Sequence, residues 1–336
     1  FYIACSNGYI EIVKLLLNDK RIDINKGNKN NQTPFYASCS SGGVEIVKLL
    51  LNDKRVDINK VSKYGWTPFF VACENGHFEI VKLLLNDKRI ANINKVNKYN
   101  QTPFYFVCQN GHIEIVKLLL NDKRITDINK ANRYHRTPFY VACQEGHIEI
   151  VKLLLNDERM VDVNKANKDG QTPFFVACEN GHFEIVKLLL NDKRIANINK
   201  ANKYNETPFS FACENGHIEI VKLLLNDKRI ANINKADNDG ETPLHYVCQN
   251  GYFEILQHIL ASERSINVIL QNNQGMTPID LARKYWDCKK EKDIVDLLES
   301  FERNPNETRF KLRKQLGYPS NFFFFFFFFF FFFFFF

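Results

Sequence analysis

The sequence lacks the features that would take it out of the ordinary globular class. Before Phe322 it has no run approaching about 18 uninterrupted apolar residues, which excludes a multi-span membrane protein. Its net charge is only +7 over 336 residues and 45% of those residues are hydrophobic, which excludes wholesale disorder. Nine cysteines in a chain of this length are too sparse for a disulfide scaffold. There is no G-x-G-x-x-G, no G-x-x-x-x-G-K-[ST], no H-E-x-x-H and no G-x-S-x-G, so the commonest nucleotide-binding, zinc-protease and serine-hydrolase signatures are missing. Aromatic content is unremarkable once the terminal run Phe322 to Phe336 is set aside.

What is present is a period. Cys5, Cys39, Cys73, Cys108, Cys143, Cys178, Cys213 and Cys248 recur every 34 or 35 residues. Thr-Pro recurs with them, from Thr33-Pro34 to Thr277-Pro278, and takes eight of the ten prolines. The string EIVKLLLND occurs seven times, first at Glu11 and last at Glu219, then decays to EILQHILAS at Glu254 and DIVDLLES at Asp293. Such self-similarity decides the architecture before any single element does. The array reads as residues 1–301, with a truncated first repeat over 1–32 and repeats starting near 33, 67, 102, 137, 172, 207, 242 and 277, the last of them cap-like. Residues 302–321 read as a polar basic tail with one short helix, and 322–336 as a low-complexity end. Phe1 falls where a repeat is just past its Thr-Pro, which suggests a chain that begins inside a longer protein.

One repeat shows the physics. Thr67 is a good N-cap and Pro68 suits the first helical position, where its missing N–H costs nothing. A short helix over Phe69 to Asn75 is stopped by Gly76, and a second runs from Phe78 to Asn86 with apolar residues around most of its circumference. Asn86-Asp87-Lys88-Arg89 ends it with cations near the negative end of the helix. Helices this short are marginal alone, so stacking must bury their faces. The expected fold class is an α-dominated solenoid of stacked helix-turn-helix repeats joined by β-turn or hairpin-like loops.

These residues resemble the ankyrin repeat. Thr242-Pro243-Leu244-His245 follows the T-P-L-H opening of its first helix, with Val247 in place of the usual alanine, and the other repeats read TPFY, TPFF or TPFS. Gly181-His182 before the second helix fits as well. The chain departs from the family in its period of 34 or 35 and in the NDKRI segment after the second helix. The near-identity of the repeats is similar to the expanded ankyrin families of AT-rich protist genomes. The resemblance implies a non-enzymatic protein-protein interaction scaffold, with turn tips and first helices forming a concave partner-binding face.

Other chemistry fits these residues less well. Cys-x3-His, as in Cys73/His77 and Cys108/His112, offers two zinc ligands per repeat, but Tyr9, Gly43 and Tyr252 replace the histidine elsewhere. No metal, cofactor or small-molecule substrate is expected. The cysteines, about 10 Å apart if the repeats stack, read as reduced buried thiols in a cytoplasmic, reducing compartment. The lysines and arginines are dispersed, which points away from a nucleic-acid groove. A C-terminal phenylalanine run preceded by basic residues leaves a membrane-tethered adaptor as the alternative function, although a translated homopolymer tract explains the run better.

The repeats differ mainly at the turn before each Thr-Pro. The position three before the threonine is Tyr64, Tyr99, Tyr134 and Tyr204 in four repeats, and the position immediately before it includes Trp66, Gln101, Arg136 and Glu206. Tyrosine, tryptophan and arginine dominate binding hot spots. These eight residues are the candidate contacts for an unknown protein partner. Trp66 with Tyr99 is the strongest pair, expected to act in binding and to be dispensable for stability.

Overall fold

The structure, a computed structural model, describes residues 1–160, 162–195, 197–285 and 289–319. The phenylalanine run and Cys288 lie outside the described residues. The chain divides into two compact units, Phe1–Pro173 and Phe174–Phe336. All regular structure among the described residues is helical.

The N-terminal unit is a series of helix pairs. They are α1 (Tyr2–Ser6) with α2 (Ile10–Asn18), α3 (Pro34–Ser41) with α4 (Val44–Asn52), α5 (Pro68–Glu74) with α6 (Phe78–Asn86), α7 (Pro103–Gln109) with α8 (Ile113–Leu120), and α9 (Pro138–Gln144) with α10 (Ile148–Leu155). First helices pack on first helices, α1 on α3, α3 on α5, α5 on α7 and α7 on α9. Second helices form a parallel row, α2 through α10. The expected helix-turn-helix repeat is therefore observed, with first helices starting at the proline.

Local chemistry explains each start. The Thr33, Thr67, Thr102 and Thr137 hydroxyls accept the N–H of Tyr36, Phe70, Tyr105 and Tyr140, each at 3.0 Å. A cap of this kind contributes about 1 kcal/mol. Between the helices Gly76 turns the chain at φ +76, and its lack of a Cβ matters twice, because an added one would lie 2.6 Å from the His112 ring of the next repeat. His112 uses that space to place Nε2 2.9 Å from the Glu74 carbonyl oxygen. The repeated Gly-His pair is thus a joint between repeats, and Tyr252 substitutes for histidine by laying its ring over Gly216.

The core runs between the two helix rows. Phe35, Phe69, Phe104 and Phe139 from the first helices meet Ile46/Val47, Ile80/Val81, Ile115/Val116 and Ile150/Val151 from the second, and all are buried. The free thiols of Cys5, Cys39, Cys73, Cys108 and Cys143 are fully buried in the same layer. Burial pushes the Cys5 thiol up to about 11 and raises the others as well, so none is a thiolate at neutral pH.

The C-terminal unit repeats this plan through α11 (Pro173–Glu179), α12 (Phe183–Asn191), α13 (Pro208–Glu214), α14 (Ile218–Asn226), α15 (Pro243–Gln249) and α16 (Phe253–Ala261), then changes. After α17 (Pro278–Tyr285), α18 runs from Lys289 to Arg303 and α19 from Pro305 to Gln315. α18 begins a turn before the DIVDLLES string at Asp293 because the charged stretch ahead of it is made of good helix formers. The segment read as a basic tail forms α19, which packs on α16 and α18. Asn304 caps it by accepting the Glu307 N–H at 3.3 Å.

Candidate functional site

The part of the repeat that varies is the turn before each Thr-Pro, and its backbone is built rigidly. In the third complete turn the Asn97 carboxamide oxygen accepts the N–H of Tyr99 at 2.8 Å and of Gln101 at 3.0 Å, and the Asn97 N–H bonds back to the Gln101 carbonyl. Asn100 takes the left-handed conformation at φ 60, which asparagine tolerates and which glycine supplies at Gly65 and Gly170. Neighbouring turns are laced together: Lys63, Lys98, Arg133 and Lys168 donate their N–H groups to the carbonyls of Asn30, Tyr64, Tyr99 and Tyr134. A row of turn tips results, each held in register with the next.

On that row Tyr64, Tyr99 and Tyr134 stand 43%, 38% and 46% exposed, where the unvaried first-helix aromatics are buried. Arg133 lies across two of them, its guanidinium carbon 4.5 Å from the Tyr99 ring centre and 4.7 Å from that of Tyr134, and it also donates to the Tyr134 hydroxyl. Arg136 sits 6.0 Å from the Tyr134 ring and 5.8 Å from that of Tyr140, with its Nε buried and unbonded. These cation–π contacts hold the guanidinium groups in place, and beyond the Arg133 bond to the Tyr134 hydroxyl they leave further N–H donors unused.

The structure therefore brings Tyr64, Tyr99, Tyr134 and Arg136 onto one face, and adds Arg133, which the sequence reading passed over. Its signal was present: arginine replaces the lysine found at Lys29, Lys63, Lys98 and Lys168 in the same unit. Gln101 is engaged otherwise, its side-chain oxygen accepting from the Asn97 amide at 2.9 Å. Trp66 turns inward. Its ring stacks on Phe70 at 5.5 Å and 9°, lies 6.4 Å from Phe106, and buries an unbonded Nε1. That packing argues for a share in stability, against the expectation that Trp66 is dispensable for it. Ser62 changes with the tryptophan, replacing the asparagine of Asn97, and its hydroxyl accepts the Trp66 backbone N–H at 3.2 Å.

In the C-terminal unit Tyr204 is 52% exposed beneath Lys203, 4.8 Å from its ring centre. Glu206 accepts from the Asn202 amide at 2.6 Å and so braces its own turn. The tips here carry acids: Glu206, Asp237, Asp239 and Glu241. Burial raises the Glu214 carboxyl above the usual range, and the charges of Glu206, Asp237 and Glu179 add to it.

Away from the tips, the NDKRI segment ties repeats together. Arg89 pairs with Asp87 at 2.7 Å and donates to the Leu51 carbonyl at the end of the preceding second helix, also at 2.7 Å. Arg55, Arg124 and Arg159 do the same toward Leu17, Leu85 and Leu120. The cations thus serve the negative end of the helix before their own, not the one they follow. Asn59 adds a second tie, donating to the Arg89 carbonyl at 2.8 Å and accepting the Ala91 N–H at 3.2 Å.

Thr-Pro-capped first helices, a row of second helices packed behind them and laced projecting turns define a tandem-repeat helical scaffold. The chain belongs to the ankyrin repeat family: the description ankyrin repeats (3 copies) matches residues 1–97, 88–167 and 158–237, and ankyrin repeats (many copies) matches residues 230–282. No curated protein matches the chain. Ankyrin repeats generally mediate protein–protein interaction and are typically not enzymes. No cluster of three or more potential metal ligands occurs among the described residues, and no helix among them is long and apolar enough to cross a membrane.

Proposed function

We propose that the chain is a scaffold that recruits a partner protein through its turn tips and first helices, in a reducing compartment that keeps its thiols free. The observation that carries this reading is the contrast within the tips. Their backbone is laced by repeated hydrogen bonds, while their outward side chains vary and include the exposed Tyr64, Tyr99 and Tyr134. A rigid support with large amphipathic side chains at modest entropy cost is the composition of a binding hot spot. Tyr204 extends the same arrangement to the C-terminal unit.

A photo-crosslinking amino acid at position 99 tests it, with the same group at Lys117 on α8 as control. A partner captured from position 99 and not from 117, and lost when Tyr64, Tyr99 and Tyr134 become alanine, supports the assignment. Equal capture at both positions overturns it.

A further inference from the structure

The arginines of Phe1–Pro173 fall into two sets. Arg21, Arg55, Arg89, Arg124 and Arg159 are each ion-paired to the aspartate two residues before them, at 2.6–2.7 Å. Arg133 and Arg136 share one turn tip and make no ion pair among the described residues. The tips of this unit also present Lys29, Lys63, Lys98 and Lys168, and contain one acid, Asp169. Two more carboxylates lie at the ends of first helices, Glu74 on α5 and Glu145 just past α9. The tip row is thus cationic, and its two arginines, unlike the aspartate-paired arginines of the NDKRI segments, are pre-positioned on tyrosine rings.

Resting on the reading that this face recruits a protein, we propose that the tips from Tyr64 to Arg136 bind an extended acidic segment of that protein, its carboxylates engaging Arg133, Arg136 and Lys98. A guanidinium fork matches a carboxylate in two parallel hydrogen bonds, and stacking on a ring face leaves edge N–H donors for them besides the one that Arg133 gives to the Tyr134 hydroxyl. The pitch fits as well. Packed helices lie roughly 8–10 Å apart, which is about three residues of extended chain at ~3.3 Å each, so an acid at every third position meets successive tips. Single-stranded nucleic acid fits less well, because it binds by stacking bases on aromatic faces, and Arg133 already covers Tyr99 and Tyr134. The tips of the C-terminal unit carry Asp237, Asp239 and Glu241 and so lack the charge that such a segment needs.

The test uses the whole chain and a dye-labelled synthetic peptide with glutamate at every third position, read by fluorescence anisotropy. It should bind at least roughly tenfold more tightly than its lysine counterpart and weaken roughly tenfold between about 50 and 500 mM salt. Arg133→Glu with Arg136→Glu should abolish binding, and Arg133→Lys with Arg136→Lys should restore part of it. If charge reversal disturbs folding by circular dichroism, Arg133→Gln with Arg136→Gln gives the same readout and the same expected loss. Equal affinity for the glutamate and lysine peptides, or binding indifferent to these substitutions, overturns the proposal. So does an oligonucleotide that displaces the peptide at lower concentration, or a dimer by sedimentation that only the arginine reversal dissociates, which would identify a second copy of the chain as the occupant. Should position 99 still capture a protein while the peptide fails, the charge assignment falls and the scaffold reading stands.

Discussion

Ile12 on α2 and Ile255 on α16 hold the same position in their repeats, yet one is 47% exposed and the other 2%. One place further along the same face, Leu15 is 72% exposed and its counterpart His258 only 7%. The difference lies in neighbours. α2 packs on α1 and α4, whereas α16 lies against α14, α15, α18 and α19. Two helices of one pattern are thus surface in one place and core in another, and in this architecture burial is a property of the interface rather than of the helix.

The sharpest way to break that comparison is a buried charge. Ile255→Lys should cost more than about 4 kcal/mol in urea unfolding, while Ile12→Lys should cost less than about 1 kcal/mol. Similar losses would mean that Ile12 is covered after all. Next in size is the removal of α19 by ending the chain at Arg303. Leu312 and Thr308 are buried in this contact, and Arg309 and Arg313 reach the Leu260 and Ala261 carbonyls at the end of α16. A loss of ~3 kcal/mol is expected, with faster hydrogen exchange along α16 and none along α4. Unchanged protection of α16 would show that α19 merely rests there.

A smaller contrast sits within one turn. Trp66→Ala removes a ring stacked on Phe70 and should lower stability by about 2 kcal/mol, whereas Tyr64→Ala, two residues away and exposed, should stay within about 0.5 kcal/mol. The reverse order would return Trp66 to the list of binding residues.

The smallest effect is a pH dependence confined to the α16 contact. His258 is buried against Tyr318, whose hydroxyl lies 2.7 Å from its Nδ1, and burial lowers its pKa, with Lys222 adding to the shift and Glu254 and Glu219 opposing it. The unfolded chain therefore takes up the proton first. Stability is fully present above the ordinary value of 6.5 and declines as pH falls below it. Unfolding midpoints measured from pH 7.5 to about 5.5 should fall. His258→Gln should flatten the profile, and an unchanged slope would assign it to another group.

The fold was legible because its rule is written many times over. Thr-Pro announces each first helix, and an apolar pattern too wide for a lone surface helix announces stacking. What escaped the sequence reading was the pairing between repeats. Gly76 looked like a helix stop and His112 like a helix start, and nothing in linear order says that one leaves room for the other. The docking of α19 did leave a trace. Gln257 and His258 stand where the preceding second helices carry a lysine and a leucine, and that departure marks the covered face. The tip site was half legible: variation located the turns, but only the geometry separates Tyr99, which faces out, from Trp66, which faces in.

The ties between repeats have a consequence for how such a chain can change length. Asn59 reaches the Arg89 carbonyl, Asn94 that of Arg124 and Asn129 that of Arg159, each 30 positions on, while Arg124 reaches back 39 positions to Leu85. Each of these repeats carries both the donor for one neighbour and the acceptor for the other. A duplicated segment of one period therefore arrives with complementary halves at both cut edges, and its insertion closes the same bonds that it interrupts. Unequal crossing-over in the gene, ruinous for most globular domains, here yields a longer protein whose new junctions are already solved.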